Sequence, residues 1–286
     1  MGTSQSSNGS PSGVPMVPPW APDPVPPLPP PSDAPPNDGQ QPGGDQPVQP
    51  QFPPVPKGPP PVAPPRRFGG AKLNLGRFAS SGDRREMRRA LGHYVRKGYG
   101  GAGTATRRMT GTAKTASDLY GALSTLARGD AAPGSVLDPA LLAGRSAQEV
   151  MDAVVEAVRP VDGTLDSEAS REAIKYALSE LFTRFPDAIL LALTEEQRNF
   201  VIERYVARDV YARVALDLGK TVLEKAPTPR DALARLKEVY DYVRETVSAA
   251  FRRIRDAGQQ MRADRISQIA QAAVQETFTV FADYAE

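Results

Sequence analysis

The distribution of proline limits where this chain can fold. Residues 1–65 contain 24 of the 30 prolines. Each proline fixes φ at about −65° and removes a backbone hydrogen-bond donor, so dense proline stretches exclude both helix and sheet interior. The segment also has few large apolar side chains, and their burial cannot offset the entropy cost of ordering. We therefore predict a disordered proline-rich arm over residues 1–65. The arm contains PxxP triplets at Pro15–Pro18, Pro24–Pro27 and Pro27–Pro30, which could bind an SH3-like groove. Because no arginine flanks them, we favour a linker role for the arm.

The formal net charge of +2 hides a strongly uneven distribution. Residues 1–65 have a net charge of −3, and residues 66–114 hold thirteen Lys and Arg against two acids, a net +11. The remaining residues have a net charge of −6. A basic segment therefore lies between two acidic ones, and we expect it to have a partner of opposite charge.

The composition excludes several classes of site. There is no cysteine and only one histidine, His93. Thiolate nucleophiles, thiolate metal sites and histidine-based zinc sites are thereby excluded, and we predict neither a metal nor a cofactor. No apolar stretch approaches the roughly 18 residues of a membrane span, and the N-terminus lacks the features of a secretory signal. We expect a cytoplasmic protein without a membrane partner.

Beyond the arm, apolar residues recur at helical spacing and no alternating strand pattern occurs. Ser146 with Glu149 and Thr194 with Gln197 have the spacing of capping boxes, and Thr228 precedes a proline at the first helical position. The prediction is an all-α fold, with a basic helical and glycine-rich segment over 66–130 and an all-helical domain over 131–286. The expected helices are 83–97, 106–128, 147–159, 167–185, one after Thr194, 229–257 and 263–284.

The helix after Thr194 has an unusual apolar pattern. Its apolar residues fall at every fourth position: Ile202, Val206, Val210, Val214, Leu218 and Val222. Because four exceeds the helical period of 3.6, this line winds around the helix. The pattern predicts either a helix that touches several neighbours or one that breaks near Gly219.

The basic segment is the main candidate binding site. The spacing of Arg84 with Arg88, and of Arg85 with Arg89, places these side chains on a continuous helix face. Aromatic residues interleave with the charges, as in many single-strand binders. One interpretation is nucleic-acid binding; the other, which we favour, is contact with a protein or with the chain's own acidic helices. The candidate anion- or partner-binding residues are Arg84, Arg85, Arg88, Arg89, Arg96, Lys97, Arg107 and Arg108.

Motifs that would indicate an enzyme have the wrong context. Residues 98–103 match GxGxxG, but a helix is predicted before them, whereas a dinucleotide site needs a strand. Gly219-Lys220-Thr221 resembles the end of a phosphate-binding loop, yet the first glycine of that motif is replaced by Val214. His93 has no accompanying catalytic group and is interpreted as a helix-surface histidine. We therefore predict that the chain is not an enzyme and has no catalytic residue.

The chain begins Met1-Gly2-Thr3-Ser4. The small second residue predicts removal of Met1 and a free amine on Gly2. Gly2 and Ser6 also satisfy the myristoylation pattern MGxxx[ST], which bacterial chains do not use, and one acyl chain anchors only marginally. An unmodified serine-rich start is the remaining alternative.

Three features together resemble the B component of the Qat anti-phage defence system. They are the Met1-Gly2-Thr3-Ser4 start, the proline tract, and the stretch from Leu75 to Tyr94 that includes LGRFASSGD and RRALGHY. The glycine-rich residues up to Arg108 fit as well.

The resemblance implies a non-catalytic partner or adaptor in antiviral defence. It also implies three partners from one operon: an ATPase, a QueC-like enzyme and a TatD-like nuclease. Enzymes of the QueC type activate a deazaguanine carboxylate with ATP and join it to an amine. By resemblance, Gly2 is the expected site of post-translational modification by the QueC-like partner. A nucleic-acid-binding adaptor that acts through residues 66–114 is the alternative.

Overall fold

The computed structural model describes residues 67–285, which form ten α-helices and no strand. The all-α prediction is confirmed, while the predicted disordered arm lies outside the described residues. Short turns at Tyr94–Gly98, Leu190–Ala192 and Asp283–Ala285 supplement the helices. The helices are α1 (Gly69–Ser81), α2 (Arg84–His93), α3 (Ala102–Arg108), α4 (Thr110–Arg128), α5 (Pro139–Leu142), α6 (Ala147–Val158), α7 (Leu165–Arg184), α8 (Glu195–Lys225), α9 (Pro229–Asp256) and α10 (Ile266–Ala282).

The helix starts predicted from capping residues are confirmed. At α6, the Ser146 hydroxyl accepts from the Glu149 amide at 3.3 Å, and the Glu149 carboxylate accepts from the Ser146 amide at 2.9 Å. These hydrogen bonds and the nearby Arg145 lower the pKa of Glu149 to about 2. Thr194 forms the same box at α8, and Thr228 caps α9. Side-chain oxygens thus satisfy amides that the first helical turn leaves without partners.

Several predicted boundaries were wrong. The stretch predicted as one helix over 106–128 is two, because the chain leaves helical geometry at Met109. Helix α7 begins at Leu165, since Thr164 rather than a later residue is its N-cap. Helix α10 is shorter than predicted, and its last turn gives way to a 3₁₀ turn.

Helix α1 precedes the predicted start of helical structure. Its buried face consists of Ala71, Asn74, Leu75, Phe78 and Ala79. These residues have helical spacing, but three glycines within the same thirteen residues weaken the pattern. The helix ends at Gly82, whose φ of +77° is the left-handed conformation that glycine adopts readily.

Helix α8 is continuous over 31 residues and lies at the centre of the fold. It packs along α7 and α9 and also contacts α1 and α4. Its buried residues therefore occupy several sides of the helix, which explains the winding line of apolar positions. Of the two interpretations of that pattern, the helix with several neighbours is correct.

One hydrophobic core joins the helices. Side chains from α1, α2 and α4 share it with side chains from α6 to α10. The Tyr120 hydroxyl in the middle of α4 donates to the Met261 carbonyl before α10 at 3.1 Å, and α10 packs against α4. Residues 66–130 thus contribute to the same core as residues 131–286. None of the helices described between residues 67 and 285 is long and apolar enough to cross a membrane.

Candidate functional site

The basic face of α2 is exposed, but most of its charges are engaged within the molecule. Arg84 forms an ion pair with Glu238 of α9 at 3.3 Å. Arg85 pairs with the N-cap residue Asp83 at 3.5 Å, and Arg89 pairs with Glu86 at the same distance. The guanidinium of Arg88 lies 5.6 Å from the ring centroids of both Tyr242 and Tyr284. Contact with the chain's own acidic helices, one of the two predicted interpretations, therefore applies at Arg84.

The second half of the predicted site is different. Arg96, Lys97, Arg107 and Arg108 are all exposed, and none has a carboxylate within 4.0 Å among residues 67–285. Arg107 donates to the Thr104 hydroxyl at 3.0 Å, and the Arg108 guanidinium lies 5.8 Å from the Tyr99 ring centroid. Arg67 approaches the same ring at 5.6 Å. We call Arg67, Arg96, Lys97, Arg107 and Arg108 the cationic patch.

The glycine-rich loop after α2 holds these residues in place. Gly100 and Gly101 have φ of +78° and +107°, and no atom lies within 4 Å of where a Cβ would be. Glycine is needed here for the backbone conformation rather than for space. The Gly101 amide donates to the Val95 carbonyl at 3.0 Å, which turns the chain back toward α3.

Two tyrosines fasten the loop to α8. The hydroxyls of Tyr94 and Tyr99 both donate to the Asp217 carboxylate, at 2.9 and 3.0 Å. The two rings meet edge to face at 5.0 Å, and Phe68 stacks on Tyr94 at 5.2 Å. Burial raises the pKa of both tyrosines, and the negative charge of Asp217 adds to this shift. The hydroxyls therefore stay protonated and act as donors.

His93 is less exposed than its interpretation as a surface residue requires. Its ring lies 3.3 Å from the position a Cβ would take on Gly70, and its Nδ1 is buried. Burial lowers its pKa, and the charges of Lys97 and Arg89 lower it further. His93 is therefore a neutral packing residue between α1 and α2 at pH 7.

The two enzyme-like motifs lie in the predicted context. Helix α2 and its continuing turn, rather than a strand, precede the glycines of residues 98–103. Gly219, Lys220 and Thr221 lie inside α8. Neither stretch therefore has the geometry of a phosphate-binding loop. Among residues 67–285, no group of three or more metal-ligating side chains occurs.

Sequence reasoning missed a buried polar network between α4, α7 and α8. Asp209, which is 1% exposed, accepts from the Thr112 hydroxyl at 2.5 Å and from the Ser170 hydroxyl at 2.8 Å. Arg213 lies 3.9 Å from the same carboxylate. Thr112, Ser170 and Asp209 are far apart in sequence, so no local sequence motif predicts that their side chains meet.

It also missed an open cavity of about 540 Å³ between the end of α7 and the start of α8. Phe185 and Phe200 meet edge to face at 5.5 Å in its wall, and Glu203 accepts from Arg255 at 3.3 Å beside them. Its acidic and basic side chains largely neutralise one another. Gly2, the predicted modification site, lies outside the described residues.

Comparison with known proteins identifies the family. A family model described as Qat anti-phage system associated protein QatB matches residues 100–281, which is more than half of the chain. The chain belongs to the QatB family. The match runs from the glycine-rich loop through α10, whereas the motifs that carried the resemblance lie mostly N-terminal of it. No curated protein and no solved structure matches.

Family membership makes this QatB-family chain a component of the Qat anti-phage system. The matched region contains α3 to α9 and nearly all of α10, whereas α1 and α2 precede it. Of the cationic patch, Arg107 and Arg108 lie inside the matched region, while Arg67, Arg96 and Lys97 precede it.

Proposed function

We propose that this QatB-family chain is a non-catalytic partner protein whose N-terminal glycine is modified by a QueC-like enzyme of the same system. The helical domain docks on other components, and the ATPase and TatD-like nuclease implied by the resemblance are the remaining partners. The observation that carries the proposal is the Met1-Gly2-Thr3-Ser4 start of a proline-rich segment over residues 1–65 in a chain of this family.

The chemistry favours an α-amine over a lysine side chain. An α-amino group has a pKa of about 7.7–8.0, against about 10.4 for lysine. Roughly a tenth of the amine is therefore neutral and nucleophilic at pH 7, compared with well under about one part in a thousand for lysine. Its nitrogen attacks the activated carboxyl carbon, an amide bond forms, and the activating group derived from ATP leaves as the amine loses a proton. Glycine has no side chain to obstruct that attack.

The sequence after Gly2 also suits entry into an active site. Thr3, Ser4 and Gln5 are uncharged and of modest size. The predicted disorder of the arm would let its tip reach an enzyme well away from the helical domain, since a coil-like chain of about 65 residues spans roughly 45 Å.

Mass spectrometry of the N-terminal peptide tests the proposal. The chain is expressed with its complete operon, and in parallel with the QueC-like gene inactivated. We expect an added mass on the peptide that begins at Gly2 only with the intact gene. Gly2→Glu, which blocks removal of Met1, should abolish both the adduct and phage protection. Gly9→Glu introduces the same change elsewhere in the arm and should preserve both.

Two results would refute the proposal. One is a mature protein from the complete operon that shows only the loss of Met1. The other is full protection by Gly2→Glu.

A nucleic-acid-binding adaptor is the second candidate function. It is favoured by one observation, the group of exposed cations without carboxylate partners that follows α2. The test is direct binding of DNA by the purified protein, with a steep dependence on salt concentration as the expected result.

A further inference from the structure

We infer that the cationic patch binds the phosphate backbone of nucleic acid without reading its sequence. This inference refines the second candidate function, because it names the cationic patch as the binding surface and the phosphate backbone as the group that is bound. It is independent of the modification of Gly2.

The cations of α2 and those of the cationic patch differ in their carboxylate partners. On α2, Arg84, Arg85 and Arg89 each have a carboxylate within 3.5 Å. The patch cations have none among residues 67–285. A partner that binds the α2 face must compete with existing ion pairs, whereas the patch presents its charges uncompensated. Electrostatic attraction of an anion is therefore strongest at the patch.

Two cations of the patch, Arg67 and Arg108, are held close together at one aromatic ring. Arg67 and Arg108 come from different parts of the chain, yet both lie within 6 Å of the Tyr99 ring centroid. Tyr99 is fixed by its hydrogen bond to Asp217. Lys97 is two residues from Tyr99, and Arg107 is adjacent to Arg108. Like charges held together repel, and a bound polyanion relieves that repulsion while it releases its own counterions.

The exposed apolar side chains indicate whether the partner of the patch is nucleic acid or an acidic protein. Stable protein interfaces usually have an apolar core surrounded by polar groups. The large apolar side chains exposed among residues 67–285 are Leu73 and eight residues beyond Arg128, so none lies between Arg84 and Arg128. A cluster of long cationic side chains without an apolar centre is typical of phosphate contacts.

The aromatic rings of the patch bear on whether it contacts bases as well as phosphates. Single-strand binders commonly stack successive bases on open aromatic faces, a contact that tolerates any sequence, whereas sequence is read through contacts to base edges. Arg67 and Arg108 lie 5.6 and 5.8 Å from the Tyr99 ring centroid, and Phe68 contacts both Arg67 and Tyr94. The aromatic rings of the patch are thus engaged by side chains of the chain itself, so we assign the contacts to phosphates.

Fluorescence anisotropy with the full-length protein tests this inference, using labelled 20-base single-stranded and duplex DNA of two unrelated sequences. For five phosphate contacts, we expect log K to fall with log salt at a slope of about −4.5 on duplex DNA. The variant Arg96→Gln, Lys97→Gln, Arg107→Gln, Arg108→Gln should reduce the slope to about −1 and the affinity at least about 100-fold in low salt. The two sequences should bind within about threefold of each other.

A matched control removes the same charge elsewhere. Arg184, Arg230, Arg252 and Arg265 are also exposed, and their replacement by Gln should change affinity by less than about threefold. Arg265 is the N-cap residue of α10 and follows Met261, whose carbonyl accepts from Tyr120 in the middle of α4. Thermal melting of both variants should match the wild type, because all eight side chains are exposed.

Three results of the binding experiment would each contradict a different part of the inference. Absence of binding by the wild type in low salt overturns both the second candidate function and this inference. Equal weakening by the two variants overturns the patch alone, since binding would then follow total charge. Equally strong displacement of the DNA by poly-L-glutamate overturns the assignment to nucleic acid and indicates an acidic polypeptide.

Discussion

Asp209 shows how strongly a single residue can depend on groups distant in sequence. Its carboxylate is almost fully buried and has hydroxyl donors from α4 and α7, with Arg213 one helical turn further along α8. An isolated charge in this position would be very costly, and the hydrogen bonds offset that cost. The network thereby fixes the relative positions of three helices that apolar contacts alone would allow to slide.

Substitution of Gly92 tests the close contact between α2 and the C-terminal turn. A Cβ on Gly92 would lie 2.5 Å from the backbone nitrogen of Ala285 and 2.7 Å from the backbone carbon of Tyr284. Gly92→Ala should therefore push the C-terminal turn away from α2 and destabilise the fold by about 1–3 kcal/mol. Urea denaturation followed by circular dichroism at 222 nm measures the change.

Gly121 is the control for that substitution. It lies within α4, and nothing is within 4 Å of its Cβ position. Gly121→Ala should stabilise the protein by about 0.5–1 kcal/mol, because alanine loses less entropy than glycine in a helix. Equal stability of the two variants would show that the contact between α2 and the C-terminal turn is not formed in solution.

At the scale of the element, α8 tests whether a glycine in a long helix marks a hinge. Gly219 is buried within the continuous helix, and a Cβ there would meet only the Ala215 side chain at the ordinary contact distance of 3.8 Å. Gly219→Ala should therefore stabilise the protein by about 0.5–1 kcal/mol. Thermal melting shows whether the substitution raises or lowers stability. For comparison, Gly219→Pro should destabilise the protein by about 3 kcal/mol or more. A loss of stability in Gly219→Ala would indicate a bend that α8 needs.

Elements with local signals were predictable from sequence, and those without were not. The capping boxes at Ser146 and Thr194 contain all their hydrogen-bonding partners within four residues, so their helix starts were correctly placed. Helix α1 was missed because its glycines lower helix propensity, while its stability comes from packing against α2 and α8. Tertiary contacts of this kind leave no periodic signal strong enough to read.

The pairing of the candidate cations also depends on tertiary contacts and could not be predicted from sequence. The eight candidate cations were visible as a charge cluster, but sequence could not tell which of them have carboxylate partners. The partner of Arg84 is Glu238, more than 150 residues away. Only the folded chain separates the paired α2 face from the cationic patch and adds Arg67 to it.

At the scale of the whole molecule, the buried apolar residues define what folding requires. They run from Ala71 on α1 to Phe281 on α10, all within one core. Since the helices described among residues 67–285 bury one another's apolar side chains, we expect the helical domain to fold without the proline-rich segment. This separates the stability of the helical domain from the proposed role of Gly2.

Deletion of residues 1–60 tests that separation. The truncated chain keeps Arg67 and every buried residue of the core, so its melting temperature should lie within about 2 °C of the full-length value. Helical ellipticity per molecule should also be unchanged, since the predicted disorder of the arm contributes no helix. The same deletion removes Gly2 and should eliminate the adduct and phage protection. A fall in melting temperature beyond about 4 °C, equivalent to more than about 1 kcal/mol, would mean that the arm packs on the helical domain. Retained protection by a stable truncated protein would instead place the function in the helices alone.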